Sequence, residues 1–201
     1  AFTGDLETAY KACLWSRLAN RILLPIKQFR AETPEDLYDG IQEIAWAEHV
    51  EPEGTLHVHF ISSQSLITHT LFGAQKVKDA IVDQFYKKHR VRPSVDKVYP
   101  DLSVHVYLHK DIASVSIDLS GQSLHRRNIR TEQGEAPLKE NLAAAILMRA
   151  NWKKISEAGG SLVDPMCGSG TFLIEAAQMA GNIAPGLSRD YFGFLGWKKH
   201  D

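Results

Sequence analysis

Apolar residues recur along this 201-residue chain first at helical spacing and then at strand spacing, and the two patterns alternate. Leu6, Ala9, Tyr10, Cys13, Leu14 and Leu18 fall on one helical face, which predicts a helix near the N-terminus. "ILLPIKQF" follows as a strand, and Pro25 inside it favours a sheet edge or a bulge, since proline cannot donate to a ladder. "TPEDLYDGIQEI" predicts a second helix, with Thr33 as N-cap, Pro34 at its first position and Asp36 in its first turn. "TLHVHFIS" alternates as a strand. "HTLFGAQKVKDAIVDQFYKKH" is the longest helical stretch, with Ala74, Val77, Ile81, Val82 and Phe85 on one face. "LSVHVYLHKDIASVSIDLS" reads as two strands joined by a hairpin turn at Lys110-Asp111. The sequence of elements predicts an α+β layer in which helices cover one face of a mixed sheet.

After Ser120 the pattern breaks. "GQSLHRRNIRTEQGEA" is polar and aperiodic, as a connector is. "PLKENLAAAILMRANW" resumes as a helix, with Leu138, Leu142, Ala145, Ile146 and Met148 predicted as its buried stripe. "GGSLVDP" predicts a short buried strand and "GTFLIEAAQMAGN" a helix after it, which together open a β-loop-α unit. The expected division is therefore residues 1–120, a connector 121–136, and an α/β part 137–201 holding too few elements for a complete doubly wound sheet.

Bulk properties change this picture little. The chain is 44% hydrophobic and 23% charged, with a formal net charge of −1, which excludes a generally basic coat but not a local basic patch. No apolar run approaches the roughly 18 residues of a membrane span. Cys13 and Cys167 form no CxxC pair, which predicts neither a disulfide framework nor a zinc site and fits a reducing cytoplasm. His57, His59 and His105 alternate with apolar residues, so they read as the polar face of strands rather than as metal ligands.

The informative motif is "DPMCGSGTF", at the predicted handover from strand to helix. Such a turn brings backbone N–H groups and a positive helix end toward a ligand, and Gly168 and Gly170 allow a path that a Cβ would block. A phosphate-cradling P-loop needs a lysine after the second glycine, and none is present. The dinucleotide motif GxGxxG needs a third small residue where Leu173 stands. An acidic residue at the strand end, Asp164, beside an open glycine turn suits a cationic amino-acid-like ligand, and S-adenosyl-L-methionine has that chemistry at its amine and sulfonium. Cys167 reads as a small residue filling the turn. Basic clusters lie at Lys87, Lys88, Arg90 and Arg92 and at Arg126, Arg127 and Arg130, while Lys76 and Lys78, two positions apart on a helix, do not share one face. Trp15, Tyr38, Trp46 and Phe85 read as core aromatics rather than as a stacking platform.

"DPMCGSGTFLIEAA" resembles motif I of the THUMP-associated guanine-N2 methyltransferases. "APLKENLAAAILM" resembles the family's motif X, and "LFGAQKVKDAIVDQF" with "VYLHKDIASVSIDLSG" resembles its THUMP domain. The resemblance implies a ferredoxin-like-type α+β RNA-binding domain followed by the start of an α/β Rossmann-like methyltransferase domain. It implies that Asp164, Pro165, Met166, Cys167, Gly168, Ser169, Gly170 and Thr171, with Lys139, Glu140 and Asn141, line the methyl donor. It implies large-subunit ribosomal RNA as the partner, bound through Lys76, Lys78, Lys87, Lys88, Arg90, Arg92, Arg126, Arg127 and Arg130 mainly by phosphate contacts that read shape. It also implies fusion to a second methyltransferase domain. The alternatives are an adenine-N6 DNA methyltransferase, which shares the amide-Pro-Pro-aromatic site, and a pure RNA-binding module. Two departures stand out. Where the family often has His-x-Arg-Gly-Tyr-Arg, this chain reads His125-Arg126-Arg127-Asn128-Ile129-Arg130. The target-base motif Asn-Pro-Pro-Tyr is absent, so no catalytic residue is assigned and the chain by itself is expected to be inactive.

Overall fold

The computed structural model describes residues 1–128 and 138–200. The chain forms two compact units, one of 1–22 with 122–190 and one of 23–121 with 191–201.

The second unit is a five-stranded mixed sheet covered by two helices. Its strands are β1 (Leu23–Arg30), β2 (Thr55–Ser63), β3 (Ser94–Val95), β4 (Leu102–His109) and β5 (Ile112–Asp118), in spatial order β1-β5-β4-β2-β3. β2 runs parallel to β3 and β4, and β5 is antiparallel to β1 and β4. β1 is an edge strand whose register shifts between Pro25 and Lys27, so the proline takes both positions open to it. The β4–β5 turn is the expected two-residue one. Lys110 and Asp111 both adopt positive φ, at 50° and 58°, matching the right-handed twist of the flanking strands. That strain is held by hydrogen bonds: Asp111 accepts from Leu66 N (2.8 Å) and Ala31 N (2.8 Å) and donates its own N–H to Ser65 Oγ (3.0 Å).

Alternation sets the two faces. Leu102, Val104, Val106 and Leu108 of β4 and Ala113, Val115 and Ile117 of β5 are fully buried. Helix α2 (Pro34–Gln42) packs on β1 and α3 (Thr70–His89) on β2. Both approach closely because glycine faces an aromatic ring: Gly40 lies on Phe29 and Gly73 on Phe60, where an added Cβ would fall within 2.1 Å and 2.4 Å of ring carbons. Thr33 and Asp36 form a reciprocal capping box ahead of Pro34, as the sequence predicted. On the opposite face of the sheet His59 and His105 are register partners with ring centroids 5.2 Å apart. Among the described residues no group of three or more His, Cys, Asp or Glu is arranged to hold a metal ion, and no helix is long and apolar enough to cross a membrane.

Residues 191–200 complete this unit. Tyr191 donates to Pro100 O, Phe194 N to Leu119 O (3.2 Å), and Trp197 Nε1 to His49 Nδ1 (3.1 Å) with the two rings stacked. Burial, and then the nearby Lys199 ammonium, hold the His49 imidazole below the ordinary histidine value, with Glu48 opposing. A depressed pKa in the folded state means that the unfolded chain takes up the proton first. The contribution is complete above about pH 6.5 and is lost as pH falls through and below that value. The expected result is a thermal midpoint that drops between pH 7 and pH 5, measured by calorimetry, with a smaller drop in His49→Gln, which keeps an acceptor but cannot charge.

The first unit contains α1 (Leu6–Trp15), α4 (Glu140–Arg149), α5 (Trp152–Glu157) and α6 (Thr171–Ala180). It differs from expectation in four ways. Helix α1 groups with residues 122–190 rather than with the sheet unit that follows it. The predicted helix 137–152 is two helices, broken at Asn151 with φ 55°; Pro137 lies outside the described residues. The buried face of α4 is Ala143, Ala144 and Leu147, whereas Leu142, Ile146 and Met148 are exposed. Both stripes are apolar, and the small one wins because alanines let α4 approach α6. There Leu147, Trp152, Ala176 and Met179 form the core, and Trp152 Nε1 donates to Ala176 O at 2.8 Å. Finally, "GGSLVDP" is not a strand. Val163 is 83% exposed, because among the described residues no strand of this unit pairs with it, and an extended segment gains its hydrogen bonds only from a neighbour.

Candidate functional site

Helix α6 starts where its sequence says it must. Gly170, at φ 73°, is the N-cap and offers no side chain to cap the first turn. Gly168 is also left-handed at φ 53°, and Gly170 N donates to Cys167 O at 2.8 Å, closing a tight turn. Beside these glycines there is room. A Cβ built at Gly168 meets nothing within 4 Å, and one at Gly170 meets only Ile174 Cδ1 at 3.9 Å. Asp164 stands at the other side of the turn, half-buried, with Oδ1 accepting from Met166 N at 3.2 Å. Ser169 Oγ and Thr171 Oγ1 are 3.4 Å apart across the helix start. An open cradle, an uncapped positive helix end and a carboxylate therefore share one short segment.

The remaining predicted ligand residues are placed unevenly. Pro165, Met166, Cys167, Gly168 and Ser169 are exposed, Met166 by 89%, and Thr171 is buried. Neither Cys13 nor Cys167 is in a disulfide. Lys139 is the N-cap of α4 and Glu140 its first residue. Asn141 is turned elsewhere, its amide donating to Asn20 Oδ1 (3.0 Å) and Leu18 O (3.4 Å).

The basic residues divide into three kinds. Lys87, Lys88, Arg90 and Arg92 are exposed together at the end of α3, with the guanidinium carbons of Arg90 and Arg92 at 5.4 Å and 4.8 Å from the Tyr86 ring centroid and Arg92 also 3.8 Å from Asp83 Oδ1. Lys76 and Lys78 are engaged with Glu35 (3.3 Å) and Asp79 (2.6 Å). In the connector, Arg126 is exposed, Arg130 lies outside the described residues, and Arg127 corrects the surface reading. It is 1% exposed and bound to Glu175 of α6 and to Arg17 O. A guanidinium so enclosed cannot reach a phosphate. Glu175 and Arg17 escaped the sequence reading, although Thr171, Glu175 and Met179 recur every four residues, which puts a carboxylate on the buried stripe of α6 and demands a cation beside it. Of the aromatics read as core, Trp46 and Phe85 are buried, but Trp15 is 46% exposed.

Three family models match successive stretches of the chain. Residues 31–118 match the THUMP domain, 127–200 the RMKL-like methyltransferase domain (UPF0020), and 1–23 the RlmL ferredoxin-like domain. The ribosomal RNA large subunit methyltransferase K/L of Methylococcus capsulatus is 62% identical over the whole chain, which spans 27% of that relative's length. Among solved structures, a putative methyltransferase complexed with SAH is 36% identical with a TM-score of 0.82, covering 98% of this chain and 51% of its own. A predicted N6-adenine-specific DNA methylase from Listeria monocytogenes is 30% identical with a TM-score of 0.78 at the same coverages. The chain therefore pairs a segment that matches the THUMP domain with one that matches the RMKL-like methyltransferase domain, and along its whole length it is similar to about a quarter of a ribosomal RNA large subunit methyltransferase K/L.

Proposed function

We propose that this chain supplies the RNA-capture domain and the methyl-donor loop of an S-adenosyl-L-methionine-dependent enzyme that methylates guanine N2 in large-subunit (23S) ribosomal RNA. The observation that carries this reading is the left-handed Gly168–Gly170 turn, whose open side faces no protein atom within 4 Å at Gly168 and which runs into an uncapped helix. When bound, the donor supplies a sulfonium methyl group to a neutral exocyclic amine held in line with it. Asp164 would hold the donor's ammonium, and the backbone from Met166 to Thr171 would pass close to its chain because the glycines carry no Cβ. The exposed set Lys87, Lys88, Arg90 and Arg92 would position the RNA through phosphates.

The domain arrangement 1–120, 121–136 and 137–201 remains part of this proposal, with the N-terminal helix and residues 191–200 each reassigned to the unit where it packs. So do a cytoplasmic location and a longer native protein with a second methyltransferase domain. Because the chain holds no Asn-Pro-Pro-Tyr, it is proposed not to transfer methyl groups by itself.

The test uses the full-length protein with isotopically labelled donor and naked large-subunit RNA, with transfer RNA and DNA in parallel. Label should enter the ribosomal RNA and be recovered, after digestion, as N2-methylguanosine. Label in DNA as N6-methyladenine would replace this reading with the one that the Listeria protein's name suggests.

A further inference from the structure

Glu175 is 2% exposed and lies one helical turn beyond Thr171 on α6. Its Oε1 accepts from Arg17 Nη1 at 2.7 Å and its Oε2 from Arg127 Nη1. Arg17 Nη2 donates onward to Ile183 O (2.6 Å) and Gln178 O (3.3 Å), and Arg127 Nη2 to Arg17 O (2.8 Å). One buried carboxylate thus gathers the N-terminal segment, the connector and the helix that follows the glycine turn. Stability is a poor reason for such a set. Buried ion clusters are often matched or bettered by apolar residues of similar volume. This one carries two cations to one anion, and among the described residues Arg127 Nε is buried without a partner.

What a planar guanidinium fork does well is orientation, because its paired donors fix direction as well as distance. Among the described residues, the apolar contacts of α6, through Ala176 and Met179 to Leu147 and Trp152, are non-directional apart from the Trp152 bond. They set how deeply α6 is buried but constrain its rotation weakly. Rotation about the α6 axis is what would swing Gly168–Thr171 past a ligand.

We propose that Arg127 and Glu175, with Arg17, are positioning residues for the methyl donor: they lock the rotation of α6, and so the glycine turn, to the connector. This rests on the donor-loop reading above and adds a second set of residues to it.

The experiment uses full-length enzyme carrying Arg127→Met with Glu175→Leu, an apolar replacement chosen to keep packing. The donor KM and kcat on ribosomal RNA are measured, with the donor Kd by calorimetry and the thermal midpoint. The expected result is a rise of roughly tenfold in donor KM and Kd, a kcat at saturating donor within about twofold of wild type, and a lower thermal midpoint, because Arg17 loses its carboxylate partner. A purely structural role predicts the reverse split, a lower kcat from a smaller folded fraction with an unchanged KM, and that result overturns the proposal. So does a double variant that matches wild type throughout. If the double variant does not fold, Arg127→Lys decides, since it keeps the charge and loses the fork: a raised donor KM supports positioning and an unchanged one refutes it. Wild-type enzyme that binds no donor at all is a separate failure, which sinks the donor-loop reading and this inference with it.

Discussion

Gly168→Val in the full-length protein should abolish most methyl-donor binding while leaving the fold nearly intact. Gly168 holds φ 53°, and no atom lies within 4 Å of where its Cβ would be. The cost to folding is therefore backbone strain alone, about 1–2 kcal/mol for an L-residue in the left-handed region. For a ligand packed against that backbone, the same side chain is an intrusion of three carbons. Overpacking of this kind costs about 1–3 kcal/mol, which is roughly a ten- to hundredfold loss of affinity. Gly159→Val is the matched control: its φ is 78° and its added Cβ also meets nothing within 4 Å, but it lies outside the turn. The two variants should lose similar stability in chemical denaturation and differ sharply in donor Kd by calorimetry. Equal donor affinities would remove Gly168 from the site. Asp164→Asn should act independently, weakening donor binding by about 1.5–3 kcal/mol if its carboxylate takes a charged hydrogen bond.

Much of the sheet unit could be read before folding because its signals are local. A threonine cap, a proline in a strand and a two-residue turn between alternating runs each act within a few residues, and each appears where the chain specifies it. The strand β3 was not legible, since two residues carry no period. The other unit was harder for a physical reason. Helix α4 has two apolar stripes, and which one is buried depends on the size of what packs against it. The glycine turn was legible as chemistry, yet the extended segment leading into it was misread as a buried strand, because a strand's burial is decided by partners elsewhere. Arg127 shows the same limit from the polar side. Next to Arg126 in a basic cluster it reads as surface, and only the distant Glu175 turns it inward. Local pattern found the turn, while long-range pairing decided what supports it.

The largest effect on stability should come from Trp46→Ala in the sheet unit. Helix α2 ends at Gln42, and the carbonyls of its last turn have no partners within the helix. Glu43 N donates to Asp39 O at 3.2 Å, and Trp46 and Gln84 serve Ile41 O and Gln42 O. Trp46 Nε1 donates to Ile41 O at 2.9 Å, Gln84 Nε2 donates to Gln42 O (2.9 Å) and Ile44 O (2.8 Å), and Gln84 Oε1 accepts from Trp46 N at 3.1 Å. Trp46 is fully buried, so truncation leaves a cavity and removes one of the donors to Ile41 O, which keeps Ile44 N at 3.2 Å, at about 3–5 kcal/mol. In a unit of this size each kcal/mol lowers the thermal midpoint by about 4–8 °C, so the drop should exceed roughly 10 °C. Trp46→Phe separates the two terms: it keeps most of the volume and loses only the bond to Ile41 O, which still accepts from Ile44 N, so it should cost about 0.5–1.5 kcal/mol. Gln84→Met should cost a comparable amount without opening a cavity, and its effect should be smaller when Trp46 is already absent, because both side chains serve the end of one helix. Additive losses in that cycle would mean that the two cap α2 independently. Coupled losses would mean that the end of α2, the Trp46 turn and α3 yield together, and α3 is the element that carries Lys87, Lys88 and Arg90 toward RNA in the proposed function.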